Sequence, residues 1–563
     1  MKKLDQRSQA RIAWGLLILV MVVYAVEMSH QAVLRYDTFK ATAFDLGNMD
    51  QVLWNTIHGR LFQFTNQAID WYGPPTRLAF HFEPIILPLS LLYVFHADPR
   101  ILLVFQTLAL ASGALPVFLL TRRYLREWPI LAALMATAYL LSPALLGINI
   151  FDFHPVALAT PLLLYAVLAL TYKRYVWFLI ACVLAAACKE DVPLTIAVFG
   201  ILVIWKYKLP RLGITLMIGG ALWSFLAFKV IMPHFYPGVQ ANNFWYRYEA
   251  LGSSPGAAIA NILVHPWILF TTFFTLDRLY YLAGLVRSVG FLPLLAPEWL
   301  LPILPGLAIN LLSTDPLLYS GIFQYNATII PFIMLAAIHG TRRLIQAWQG
   351  WRPKEQHDIV NRIVGAGLAP ALPLAPALPF APALPPLVQA GHFFAWLQPR
   401  ILRLTLPEWR NEQWRRFSER MAPMAKSVSV FRLQWIVFAW ITLMIGLNFW
   451  LIAPQLNSFW ADHDPGSREK HIQQLLAMIP PDASVSAGAN LNPHLSERQL
   501  LAVFPSVCID SACKLTAEYV IVDLNSLTTE NRAQAVSVLN ALSRQFRVVA
   551  RAEGVVLLIR RST

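Results

Sequence analysis

The sequence predicts an α-helical polytopic membrane protein of about eleven spans with re-entrant segments, ending in a small extracytoplasmic α/β domain. Three observations predict it. The first is composition: of 563 residues, 57% are hydrophobic and only 13% are Asp, Glu, Lys or Arg. A soluble globular chain carries about 25% charged residues, and a soluble surface of this size needs more charge than is present here. Phe alone, at 33, outnumbers Asp and Glu together, at 31, and the mean hydropathy is +0.52. The second is a series of apolar runs separated by basic turns, and the third is a return to soluble composition after residue 452. Together they exclude an ordinary cytoplasmic enzyme, a disordered chain and a disulfide scaffold. The net charge of +14 follows from Lys and Arg collecting in cytoplasmic loops, with no nucleic-acid partner required. Four Cys do not make a framework.

In chain order, Met1–Arg11 is basic and the run WGLLILVMVVYAVEM follows. A signal peptide competes with a retained helix here, but no small-x-small site follows cleanly, so a first span is predicted. Lys2, Lys3, Arg7 and Arg11 place the N-terminus in the cytoplasm and residue 30 outside. Further spans are predicted at 100–121, 129–149, 156–171, 176–188, 191–206, 212–232, 259–275, 279–297, 322–339 and 431–452. Arg122/Arg123/Arg126, Lys173/Arg174, Lys206/Lys208/Arg211 and Arg342/Arg343 mark cytoplasmic turns. Segments 79–96 and 299–312 are apolar but interrupted by Pro84, Pro88, Pro302 and Pro305. Both read as re-entrant or interfacial helices packed against protein.

Residues 1–340 thus form a membrane core. Residues 341–430 carry twelve Lys or Arg against five Asp or Glu and read as a cytoplasmic segment. Inside it, 365–387 repeats Ala-Pro and reads as a semi-extended linker. Residues 405–425 read either as a basic interfacial helix or as a solvated connector. After the last span at 431–452, residues 453–563 form the α/β domain, with strands at EYVIVDL and FRVVARAEGVVLLIRR and a helix over 527–545. In it Cys508 and Cys513 can form a disulfide if the compartment is oxidising. Cys182 and Cys188, inside an apolar run, read as small buried residues.

The polar residues collect on the outer side. The first outer loop holds Asp37, Asp45, Asp50, Asp70, Glu83, His58 and His81. Next come Asp152 and His154 in FDFHP, then Lys189-Glu190-Asp191 between two apolar runs. The 233–258 stretch holds His234, Asn242, Asn243, Trp245, Tyr246, Arg247 and Tyr248, and Asp315 and Tyr325 follow. Ionisable groups near membrane depth face protein or water and mark function. Plainer readings stand beside each: a solvated turn for 189–191, helix caps for Asp45 and Asp152, a helix end at His58. No Gly-x-Gly-x-x-Gly, P-loop, His-Glu-x-x-His or Cys-x-x-Cys occurs. A donor used outside is therefore membrane-carried or gradient-driven.

FDLGNMDQVLWNTIHGRLF, AFHFEPIILPLSLLYVF, FDFHPVALATPLLL, CKEDVPL, FQYNATIIPFI and VSAGANLNPHLSER, in this order, resemble the DUF2079 family of predicted membrane proteins. That family resembles a branch of the GT-C superfamily, multi-spanning glycosyltransferases that take sugars from polyprenyl-phosphate-type carriers at the non-cytoplasmic face. The resemblance implies a GT-C-like core in a bacterial inner (cytoplasmic) membrane. It makes Asp45 the essential acidic residue of the first outer loop and a catalytic candidate, with Asp50 as second choice. It implies a substrate-binding role for His81 and Glu83, which precede a proline-containing helix. FDLGNMD replaces an adjacent acidic pair, so a divalent metal (Mg or Mn) stays an open expectation.

Glycosyl transfer needs a carboxylate to take the acceptor proton or steady the sugar cation, and cations to meet the leaving phosphate. Lys189 or Arg247, helped by His154, suit the phosphate. Trp245, Tyr246 and Tyr248 suit a sugar face, and Asp152, Glu190 and Asp191 complete the candidate binding set. The implied partners are a polyprenyl-phosphate-linked sugar donor, membrane lipid and an extracytoplasmic acceptor. Two other functions fit the same sequence: a lipid or solute transporter, and a non-catalytic membrane scaffold.

Overall fold

A computed structural model describes residues 5–66, 75–236, 244–350, 430–457, 460–461, 463–509 and 513–561. Asp70, Asn242, Asn243, the Ala-Pro linker at 365–387 and the basic stretch at 405–425 lie outside the described residues. Contacts group 1–342 with 438–563 as one compact unit and 343–437 as another.

The first helix, α1 (Gln6–Asp37), opens on Asp5, whose carboxylate accepts the Ser8 N–H at 2.7 Å, satisfying one of the unpaired N-terminal donors. At 1.5 Å per residue its 32 residues are about 48 Å long. Ala13, Leu17, Tyr24, Met28 and Ala32 are buried, while Ile18, Leu19, Val22, Val23 and Val26 are exposed. An apolar stripe left outside the protein is what a lipid-facing helix requires. Gln6–Asp37, Pro99–Tyr124, Pro210–Phe235 and Arg432–Ile452 are long and apolar enough to cross a membrane. Pro129–Leu140 and Pro143–Ile150 form a fifth candidate bent by 47°, at a proline that cannot donate to the preceding turn.

The predicted spans at 156–171, 176–188 and 191–206 are the shorter apolar helices Pro155–Thr171, Tyr175–Ala186 and Val192–Trp205, and three further predicted spans take a different form. Segment 259–275 is split into Pro255–Val264 and Ile268–Phe273, because Pro266 removes a helical donor. Segment 279–297 is helical only over Leu276–Arg287. Gly290 and Phe291 then turn left-handed at φ +65° and +58°, and Pro293 and Pro297 start 3₁₀ turns. The helix expected at 322–339 starts later, at Ile330, and runs to Gly350. The proline-broken segments 79–96 and 299–312 contain the short helices Ile86–Phe95 and Leu304–Leu311. Helices Val192–Trp205 and Pro210–Leu226 pack closely: a Cβ on Gly200 would lie 2.5 Å from the Gly213 carbonyl oxygen. Small residues permit such backbone approach in membranes.

The C-terminal domain has a five-stranded sheet: β1 (Val485–Ala487), β2 (Leu501–Val503), β3 (Tyr519–Asp523), β4 (Phe546–Ala552) and β5 (Val555–Arg560). Their order is β2-β1-β3-β5-β4, with β1 parallel to β2 and β3, and β5 antiparallel to β3 and β4. The helix Ser467–Ala477 packs Ile472, Leu475 and Leu476 on one face of the sheet. The other face buries Val520, Val522, Phe546, Val556 and Leu558 against Leu539 and Leu542 of the helix Thr529–Leu542. Cys508 and Cys513 are joined by a disulfide in this domain.

The domain is built onto the segment that follows α1. Phe39 belongs to its hydrophobic core. Asn66 and Asn492 exchange side-chain hydrogen bonds at 2.6 and 2.7 Å. Gln51, fully buried, donates to the Arg498 carbonyl at 3.1 Å and accepts from Thr65 and Asn66 N–H. A Cβ on Gly47 would lie 2.5 Å from Asn492 Oδ1, so a side chain there would separate the two parts. Asp50 sits in this junction. Its carboxylate accepts from Tyr93 and, at 2.5 Å, from Ser496. Burial and then the Glu497 charge push the Asp50 carboxyl well above its ordinary value. Burial and then Asp98 push Glu497 up to about 7.

An acid whose folded pKa is raised holds more protons in the folded state, so its contribution to stability falls as pH rises through the window between its ordinary value and about 7. Glu497→Gln removes that term. The variant should melt close to wild type near about pH 5 and above it near about pH 8. Thermal unfolding of the full chain at both pH values checks this, and a difference that does not grow with pH refutes it.

Candidate functional site

Beyond α1 the chain turns at Phe39 (φ +58°) and extends through Thr42 into a π-type turn, Ala43–Gly47, that leads into the helix Asn48–Ile57. Such turns recur at functional sites. Asp45 lies in it with a side chain 24% exposed. One carboxylate oxygen is 2.8 Å from His154 Nε2, and the other is 3.2 Å from the Thr42 hydroxyl.

His154 is delivered by the FDFHP turn, which is fixed from three sides. Gln106 donates to the Asp152 carbonyl at 2.8 Å and accepts the His154 N–H at 3.0 Å. Phe151 stacks on the imidazole at 5.7 Å and 17°. Asp152, 1% exposed and left-handed at φ +49°, accepts the Thr42 N–H at 2.9 Å and lies 3.4 Å from Arg35 Nε. The Thr42 hydroxyl is also 3.3 Å from Asp152. A hydroxyl has one hydrogen, so Asp45 and Asp152 share this donor. Asp152 therefore positions the turn that carries Asp45. His154 Nδ1 is buried with no hydrogen-bond partner.

A second group adjoins this pair. His81 Nδ1 is 2.9 Å from one Glu190 oxygen, and the other Glu190 oxygen accepts the Phe82 N–H at 3.1 Å. Arg77 pairs with Glu83 at 2.7 Å, Lys189 with Asp191 at 3.8 Å, and Arg247 with Asp315 at 3.1 Å. Phe244 stacks on His81 at 5.2 Å and carries the Arg247 guanidinium at 4.8 Å.

Charge ties the groups together. Burial pushes the Asp45 carboxyl up, but His154, the Thr42 hydrogen bond and Arg77 outweigh it and hold the group below its ordinary value. Asp45 is thus an anion at neutral pH. Burial and then Arg77 push His81 well below its ordinary value, so it is neutral. Burial raises Tyr325, Arg247 and Lys189 pull it down, and Asp45 and Asp315 push it up. One phenol therefore feels charges from four separate stretches of sequence.

The structure thus brings together Asp45, Asp152, His154, His81, Lys189, Glu190, Asp191 and Arg247. Asp50 lies apart in the domain junction. Glu83 is closed by Arg77. Trp245 donates to the Gly252 carbonyl at 2.9 Å and packs beside Leu251, Ala258 and Phe273. Tyr248 donates to the Ile309 carbonyl at 3.0 Å, and Tyr246 is exposed. Sequence reasoning missed Arg35, Thr42 and Arg77. Arg35 carried a signal, being a cation in the last turn of an apolar helix; Thr42 and Arg77 carried none.

The donor set around Asp45 is one carboxylate, one imidazole and one hydroxyl already used between carboxylates. Among the described residues no group of three His, Cys, Asp or Glu is gathered for a metal.

Fold and site define a polytopic membrane protein that carries a small α/β domain and, among the described residues, a polar, charge-coupled site built from Asp45, His154, His81, Lys189 and Arg247. The chain belongs to the family described as Predicted membrane protein (DUF2079), whose model matches residues 35–382 and 358–557. No curated protein matches it significantly. It is similar to crystal structures of ArnT from Cupriavidus metallidurans. One, bound to undecaprenyl phosphate, is 14% identical with a TM-score of 0.45, covering 96% of this chain and 97% of that one. The other, in the apo state, is 13% identical with a TM-score of 0.40, covering 97% and 98%.

Asp152→Ala should strip Arg35 of a buried counter-charge and free Thr42, lowering stability by about 3 kcal/mol. A melting temperature equal to that of wild type would show that the turn is held by other contacts.

Proposed function

We propose that this protein is a membrane glycosyltransferase that moves a sugar from a polyprenyl-phosphate-type donor to an extracytoplasmic acceptor at a bacterial inner membrane. The observation that carries the reading is the Asp45–His154 pair: an ionised carboxylate, partly open, anchored at 2.8 Å on an imidazole held by Gln106 and Phe151. The FDLGNMD, FHFEP, FDFHP and KED strings belong to the resemblance to DUF2079, a family that itself resembles a branch of the GT-C glycosyltransferases, and this supports the reading, as does the lack of any nucleotide-binding motif.

In this reading the acceptor oxygen attacks the anomeric carbon and the carbon–oxygen bond to phosphate breaks. The phosphate leaves with the bonding electron pair. Asp45 takes the acceptor proton as the new bond forms and, before that, opposes the positive charge on the sugar ring. Lys189 meets the departing phosphate. Its partner Asp191 is 3.8 Å away, whereas Arg77 and Arg247 are in closer pairs, so Lys189 gives up least on turning to a new anion. Neutral His81, tied to Glu190 through Nδ1, is suited to a sugar hydroxyl.

Purified protein in lipid, given a panel of radiolabelled polyprenyl-phosphate sugars and a membrane extract, tests this. Wild type should move label into acceptor, and Asp45→Asn should lose roughly a hundredfold or more, the scale of acid–base contributions. Transfer by Asp45→Asn at the wild-type rate would remove Asp45 from the chemistry. No transfer with any donor by folded wild type would favour the transporter or scaffold. His154→Gln keeps a hydrogen-bonding side chain but removes the charge that opposes burial at Asp45. Its acid limb of kcat/KM should move to higher pH than in wild type; an unmoved limb would mean that another group sets it.

A further inference from the structure

We infer that the end of α1 remote from Asp45 holds a binding site for an anionic phospholipid, with the lipid phosphate in a basic cleft and an acyl chain in an adjoining apolar groove. The cleft lies at the Gln6–Trp14 end of α1, where the span Pro99–Tyr124 ends and the turn before Tyr175 begins. Its volume is about 760 Å³, and Arg122, Arg123, Arg126 and Lys173 line it beside Trp14 and Phe118. Among the described residues no acidic side chain lines it. Arg122 Nη1 is buried there with no hydrogen-bond partner, and a buried guanidinium N–H without an acceptor is costly.

Tyr172 lines this cleft and also the neighbouring one. The neighbour is about 550 Å³ and apolar, running between the helices Ala159–Thr171 and Tyr175–Ala186 past Leu168, Ala169, Trp177 and Leu184. A free phosphate would use the cleft and leave the groove bare; a phospholipid uses both. The position also fits, because three apolar helices end here, at the depth where lipid phosphates lie. Guanidinium groups suit phosphate through paired N–H donors.

The test uses the full chain in vesicles of roughly nine parts phosphatidylcholine to one of phosphatidylglycerol, followed by mild detergent release and native mass spectrometry. Wild type should retain phosphatidylglycerol preferentially. Arg122→Gln/Arg126→Gln should lower that retention roughly tenfold, since each basic residue near an anionic surface contributes several-fold. Ala169→Trp, which narrows the groove and leaves every charge in place, should lower it as well; this variant decides the matter if the double variant does not fold. Equal retention of both lipids by wild type would overturn the inference. Retention unchanged in the variants would do the same. So would displacement of the lipid by millimolar inorganic phosphate with Ala169→Trp behaving as wild type, which would identify a soluble-anion site.

Discussion

The site depends on Asp152, a carboxylate with almost no exposure. Buried next to apolar helices, it cannot stay unpaired, and it finds its partners in two other parts of the chain. The Thr42 N–H at 2.9 Å and Arg35 at 3.4 Å pull the end of α1, the extended stretch after it and the FDFHP turn into one geometry. The consequence reaches Asp45. Thr42 stands between the two carboxylates, and His154, two residues beyond Asp152, has its imidazole placed against Asp45. The left-handed backbone at Asp152 is tolerated because Asp adopts it more readily than bulkier residues and because Gln106 clamps the turn at three carbonyls.

The C-terminal domain meets the same stretch of chain by another route. Its contacts are amides, hydroxyls and protonatable carboxyls: Asn492 on Asn66, Gln51 on the Arg498 and Gln499 carbonyls, Ser496 on Asp50. His494 stacks on Tyr36 and Phe39, and its nitrogen lies 3.0 Å from the Tyr36 carbonyl oxygen. Burial pushes it down to about 3, so it is uncharged. Apart from Glu497 beside Asp50, these contacts are hydrogen bonds between uncharged groups, which avoid the desolvation penalty of buried ion pairs. The directional bonds also fix the orientation of Asn48–Ile57, the helix that continues from the Asp45 turn.

The sequence made the class of protein legible because membrane burial acts on composition directly. Long apolar runs and basic turns are local quantities, and so are the alternating strands and the helix near 527–545. The polar strings FDLGNMD, FHFEP, FDFHP and KED stood out for the same reason: charge inside apolar sequence is conspicuous. At two of the places where the span reading departed from the structure, 259–275 and 279–297, the runs were apolar enough, but Pro266 and the left-handed Gly290–Phe291 pair broke the helical hydrogen bonds.

What the sequence by itself determined is which residues have to escape lipid. What only the tertiary structure decided is where each one goes. Asp45 and Asp50 are five residues apart in one acidic string, and nothing local ranks them. Asp45 sits in the π-type turn and Asp50 in the first turn of the helix that follows, so the two carboxylates point to different neighbours. Asp45 meets a histidine from the turn after Pro143–Ile150 and keeps an open edge. Asp50 meets Tyr93 and Ser496 and is closed. Thr42 and Arg77 were silent in the sequence for the same physical reason: their roles consist of partners supplied by distant segments, and no local pattern records a partner.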